Sequence, residues 1–92
     1  MEYICFTCQQ VFETGMQPCQ HLAAFFASLQ GQKIWRLRFL NRYAYEFYSD
    51  PQIQQLLAEH PLMVSEVLCV DEFDCKTHTG VNALGTRVSI FA

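Results

Sequence analysis

The stretch Cys5–His21, CFTCQQVFETGMQPCQH, decides how the rest of the chain is read. It places Cys5, Cys8, Cys19 and His21 within seventeen residues. Three thiolates and one imidazole are a common set for a tetrahedral structural zinc, with no position left for water. Strand-favouring residues flank the first pair, Tyr3, Ile4 and Phe6 before it and Val11-Phe12 after it. Two short strands joined at Cys5–Cys8 would hold both sulfurs inside a tight knuckle. Gly15 and Pro18 then mark a turn.

A helix is expected from Cys19. Leu22, Phe25, Phe26 and Leu29 follow the 3.6-residue period, three alanines favour helix, and Gly31 supplies a stop. Cys19 and His21 fall in its first turn, where the dipole favours a thiolate. The segment PCQHLAAFFASL resembles the closing half of a SWIM-type zinc finger, in which a Cys-x-His pair opens an Ala- and aromatic-rich helix. That family normally carries Cys-x-Cys in its first half, where this chain has Cys5-x-x-Cys8. The resemblance covers the first third of the chain. It implies Cys8, Cys19 and His21 as ligands with Cys5 as the fourth, and DNA or protein as partner.

A second knuckle-like pair, Cys75-x-x-His78, could join Cys5 and Cys8 in place of Cys19 and His21. Closing the longer loop costs little extra. The local set is preferred because it also accounts for the placement at a helix start. A redox role for Cys5 and Cys8 is the alternative function, but the residues after Cys8 lack the helix that thioredoxin-like sites place there.

Composition bounds the remainder. Ninety-two residues with 51% hydrophobic and 16% charged suit one packed domain, 1–92, with a zinc-binding hairpin and helix (1–31) continuous with an α+β body (32–92). A core of this size is marginal and is often helped by a metal. The odd count of five cysteines and the lack of a secretory leader imply a reducing, cytoplasmic setting. The longest apolar run, Leu22–Leu29, is too short to span a bilayer.

In the body, Trp35, Leu37 and Phe39 alternate with Arg36 and Arg38, the pattern of a strand with a basic outer face. Tyr43, Tyr45 and Phe47 alternate likewise, with a bend at Leu40–Arg42. A helical register through Ile34, Leu37, Asn41, Ala44 and Tyr48 also exists, but aromatic content favours strands. Asp50-Pro51 reads as the cap and first residue of a helix ended by Pro61 after His60. A strand follows in Leu62–Asp74, a loop in Gly80–Gly85, and a last strand in Thr86–Ala92 that carries Val88, Ile90 and Ala92 on one face. The fold class is therefore α+β, a small antiparallel sheet packed by two helices.

The net charge of −3 disfavours a generally basic nucleic-acid binder. Even so, Lys33, Arg36, Arg38 and Arg42 gather four of the six basic residues within ten positions. They are candidate contacts for phosphates or a protein partner, with Trp35, Tyr43 or Tyr45 available to stack on bases. The plainer reading is a solvated strand face. The acidic run Asp71–Asp74 lacks the spacing of a calcium loop. No phosphate-cradling loop, nucleophile elbow or acid/base pair is present, so a non-catalytic interaction module is expected.

Overall fold

In the computed structural model, which describes residues 1–59 and 64–91, the chain is an α+β assembly of two sheets and two helices. Strands β1 (Glu2–Ile4) and β2 (Val11–Glu13) pair antiparallel as the expected hairpin. Tyr3 and Phe12 sit opposite each other, both buried, and their rings stack at 5.6 Å. Helix α1 (Gln20–Ser28) follows, with Leu22 and Phe26 buried. It ends where Gly31 takes a positive φ of 76° and donates its N–H to the Phe73 carbonyl at 2.7 Å. A left-handed residue just beyond a helix is the usual role of glycine.

The larger sheet is antiparallel throughout, in the order β4-β3-β5-β6-β7. Its strands are β3 (Ile34–Phe39), β4 (Glu46–Ser49), β5 (Val64–Asp74), β6 (Thr79–Val81) and β7 (Arg87–Ser89). Residues 34–49 thus form the expected hairpin, but β4 begins only at Glu46, so Tyr43 lies in the connection and Tyr45 makes an isolated bridge. The small hairpin joins this sheet through a parallel bridge between Tyr3 and Tyr45. Helix α2 (Asp50–Glu59) connects β4 to β5 and packs on β4 and β3.

Four expectations are corrected. Ser49, not Asp50, caps α2: its Oγ accepts from the Gln52 N–H while Gln52 Oε1 accepts from the Ser49 N–H, a reciprocal capping box. Asp50 instead accepts a 2.9 Å hydrogen bond from Trp35 Nε1. Gly80 lies in β6 rather than in a loop, and the turn is carried by Asn82, whose Oδ1 accepts from the N–H groups of Leu84 and Thr86. The last strand is only Arg87–Ser89, although Ile90 beyond it is fully buried. Fourth, Arg36 does not lie on a solvated face. The strand alternates as predicted, but both faces of the sheet are covered, so alternation does not mean exposure. Trp35 and Leu37 share the α2 side with buried Ile53. Arg36 points the other way and is only 8% exposed. Helix termination at His60-Pro61, the start of the strand at Leu62, and Ala92 lie outside the described residues.

On the Arg36 side the core is largely aromatic. Phe26 meets Phe47, Phe73 and Phe91 at 5.1, 5.8 and 5.9 Å, mostly edge to face. Ile34, Val70 and Ile90 fill the sheet side of the same cluster. Close approach of β6 to β5 explains Gly80: a Cβ there would run into the Asp71 carbonyl and the Val70 side chain. Gly80→Ala is expected to cost about 1–3 kcal/mol as overpacking against backbone, read as a lowered denaturation midpoint with unchanged slope.

Candidate metal centre

The hairpin turn sets the first two candidate ligands. The Cys5 N–H donates to Gln10 O at 3.0 Å, and the Gln9 N–H donates to Cys5 O at 2.8 Å. Closing this turn puts Gln9 at φ 62°, a left-handed conformation for a non-glycine residue. Its side chain steadies the turn by donating from Nε2 to Phe6 O at 2.8 Å. In this geometry the amides of Cys8 and Thr7 face the Cys5 sulfur, and the amide of Gln10 faces that of Cys8.

The other two candidate ligands come from the start of α1. Cys19 precedes the helix in an extended conformation, and its carbonyl accepts the Ala23 N–H at 3.0 Å. His21 lies in the first turn and is exposed, whereas Cys5 is buried and Cys8 and Cys19 are half-buried. One thiol thus faces the core while the imidazole closes the solvent side.

The ligand atoms of Cys5, Cys8, Cys19 and His21 all lie within 4.8 Å of one another. The Cys8 and Cys19 sulfurs are 3.6 Å apart. A tetrahedron with zinc–sulfur bonds of about 2.3 Å has edges of roughly 3.8 Å, so the spacing fits a shared ion. It does not fit a disulfide, whose sulfurs stand about 2.05 Å apart. All five cysteines are free thiols. The four residues are therefore compatible with holding a metal ion, and their donor chemistry is that of a soft to borderline cation.

The electrostatics are asymmetric. Burial pushes the Cys5 thiol up, but the Cys8 and Thr7 amides and the adjacent Cys19 and Cys8 thiols more than offset it, leaving its pKa below the ordinary value. For Cys8 the Gln10 amide pulls down, yet burial and the neighbouring Cys19 and Cys5 sulfurs raise it overall. Proton loss at one sulfur resists proton loss at the next unless a cation intervenes.

The competing pair is placed elsewhere. Cys75 packs against the core. His78 sits among rings, 4.7 Å from Phe91, 5.5 Å from Phe26 and 6.2 Å from Phe73. Neither belongs to a metal-sized cluster among the described residues. Burial, only partly countered by Asp74, lowers the His78 pKa. A base with a depressed folded-state pKa contributes stability that is present above its unfolded value, near 6.5, and lost as pH falls through the folded value. His78→Asn, which tolerates the observed φ of 54°, should therefore flatten the fall in melting temperature below about pH 6.5 relative to the native chain. Acid effects on the metal site are common to both proteins and drop out of the comparison.

The candidate partner-binding cations are all engaged within the chain. Lys33 pairs with Asp71 at 3.8 Å, and Arg38 reaches Glu66 at 3.0 Å and Ser65 at 3.1 Å. Arg42 binds Glu46. Arg36 lies 4.6 Å over the Tyr45 ring and donates to Ile90 O at 2.6 Å. Tyr45 in turn hydrogen-bonds Glu66, while Arg38 stands 5.5 Å from the same ring. Trp35 is held by Asp50, so of the aromatics proposed to stack only Tyr43 stands fully free of the core.

One polar feature escaped the sequence reading. Glu46 is 1% exposed, and its carboxylate takes hydrogen bonds from Tyr48 at 2.9 Å and from Arg42. Nothing in the local pattern FYS after Glu46 announces a buried acid; the signal is Arg42 four residues before it. No helix among the described residues is long and apolar enough to cross a membrane. No family model, curated protein or solved structure matches the chain.

Proposed function

We propose that the chain is a small, non-catalytic interaction module stabilised by one zinc ion on Cys5, Cys8, Cys19 and His21. The observation that carries this reading is the convergence of those four donor atoms within 4.8 Å. With four protein ligands, no coordination position remains for a substrate or water, so the metal serves the fold. It would tie the β1–β2 turn to the start of α1, beside the core that Cys5 and Leu22 already share.

The partner is a protein in preference to nucleic acid. Supporting this are the net charge of −3 and the pairing of Lys33, Arg38 and Arg42 with carboxylates. A salt titration separates the two. Nucleic-acid affinity that falls steeply with salt would mean phosphate contacts and reverse the preference; no binding at low salt agrees with it.

The alternative is a thiol-redox or metal-handling protein, favoured by the lowered pKa of Cys5. Alkylation of the native protein decides between them. A structural zinc predicts protection of Cys5, Cys8 and Cys19 until chelator is added, whereas rapid modification of one thiol in the metal-loaded protein would favour the redox reading.

A further inference from the structure

Between the metal knuckle and the β3–β4 turn lies a recess of about 490 Å³. Ile4, Phe6 and Gln9 form its knuckle wall; Arg42, Tyr43 and Glu46 form the other. Two aromatic residues stand open at this end of the molecule, Tyr43 at 87% exposure and Phe6 at 45%. Isolated exposed apolar residues are ordinary, but aromatics flanking one concave site are a mark of contact surfaces. Tyrosine and arginine are also the side chains most enriched where binding energy concentrates.

Resting on the metal-module reading, we propose that this recess is the partner-binding surface and takes an aromatic side chain from a protein segment. Charge decides the occupant. The recess holds one acid and one base, Glu46 and Arg42, and they neutralise each other. Glu46 is buried and already accepts from Tyr48, so it has little capacity for a partner's cation. Arg42 gives an N–H to that carboxylate and lies 5.3 Å over the Phe39 ring, so its charge is already compensated within the chain. A neutral, aromatic-walled site is complementary to a neutral ring, and neither to a polyanion nor to a basic peptide.

The metal acts on this site through the backbone. Phe6 lies between Cys5 and Cys8, and the Gln9 side chain holds the Phe6 carbonyl. Fixing both sulfurs to one ion fixes the knuckle wall of the recess. Phe6 is further braced by Tyr48, 5.7 Å away. Metal loss should therefore abolish binding even though no ligand atom touches the partner.

The test is amide-resolved NMR titration of the zinc-loaded full chain with the N-acetyl amides of Phe, Tyr and Trp, then with those of Lys and Asp, and with a short thymidine oligonucleotide. Saturable shifts from the aromatic amides at Ile4, Phe6, Gln9 and Tyr43 are expected. Tyr43→Ala should weaken them roughly tenfold while leaving zinc content unchanged, since this side chain contributes nothing to the core. Phe6→Ala should do the same from the opposite wall. Aromatic probes that bind elsewhere or not at all would overturn the proposal, as would an oligonucleotide or lysine amide preferred at these positions. Loss of recess binding on chelation is expected, and binding that survives it would overturn the proposal. A chain that carries no zinc fails the earlier reading, a result read from the mass of the protein before any probe is added.

Discussion

Cys19→Ser is expected to lower the melting temperature of the zinc-bound protein by more than about 12 °C and to abolish its sensitivity to chelator. Size sets the scale of the effect. A chain of 92 residues has a modest core, and net stabilities of such domains are about 5–15 kcal/mol. A structural zinc contributes folding free energy of comparable size, because the site does not exist in the unfolded chain. Cys19 supplies one of four donors and stands at the start of α1, whose end has no side-chain cap of its own. On the proposed zinc site, its loss would remove both a ligand and the tether of that helix to the hairpin. A loss of 3 kcal/mol or more corresponds to roughly 12 °C in a domain of this length. Cys75→Ser is the matched control. Its sulfur is a partly buried packing group, so it should cost about 1 kcal/mol and leave chelator sensitivity intact.

The second large effect is expected at Phe26. It is 1% exposed and its ring meets those of Phe25, Phe47, Phe73, His78 and Phe91. Helix α1, β4, β5 and the C-terminal segment all converge on this one side chain. Phe26→Ala would leave a cavity that rigid rings cannot collapse to fill, costing about 3–5 kcal/mol. Equilibrium denaturation should show the full loss in the midpoint. Phe26 follows His21 by more than a turn, so zinc should still bind while the body of the molecule loosens. Phe25, on the neighbouring face and only partly buried, should cost less than half as much when truncated. That contrast separates a core defect from a metal defect.

How far the sequence could be read depended on whether the signal was local. The knuckle, the start of α1 and the Gly31 stop are all set by residues within a few positions of one another, and they stand where the pattern placed them. So does β3, while β4 starts at Glu46, three residues later than the Tyr43–Phe47 alternation placed it. The failures are non-local. Arg36 alternates as an outward residue, and only the docking of the hairpin and the C-terminal segment over that face buries it. Gly80 looked like a loop residue because glycine marks turns; its cause is the approach of β5, nine residues back in the chain. Asp50 and Ser49 are both good caps, and the choice went to Ser49 because Trp35 on another strand holds the Asp50 carboxylate. The placement of His78 away from the metal cluster likewise depends on rings from α1, β5 and the C-terminal segment, which no spacing rule reports.

The central claim is that one ion ties the β1–β2 turn to α1. Native mass spectrometry of protein purified without chelator tests it most directly, run on the unaltered chain and on Cys19→Ser and Cys75→Ser. One zinc per chain in the unaltered protein and in Cys75→Ser, and none in Cys19→Ser, is the predicted result. Metal-free protein with its thiols reduced and its fold intact would contradict the account, as would zinc lost from Cys75→Ser and retained by Cys19→Ser.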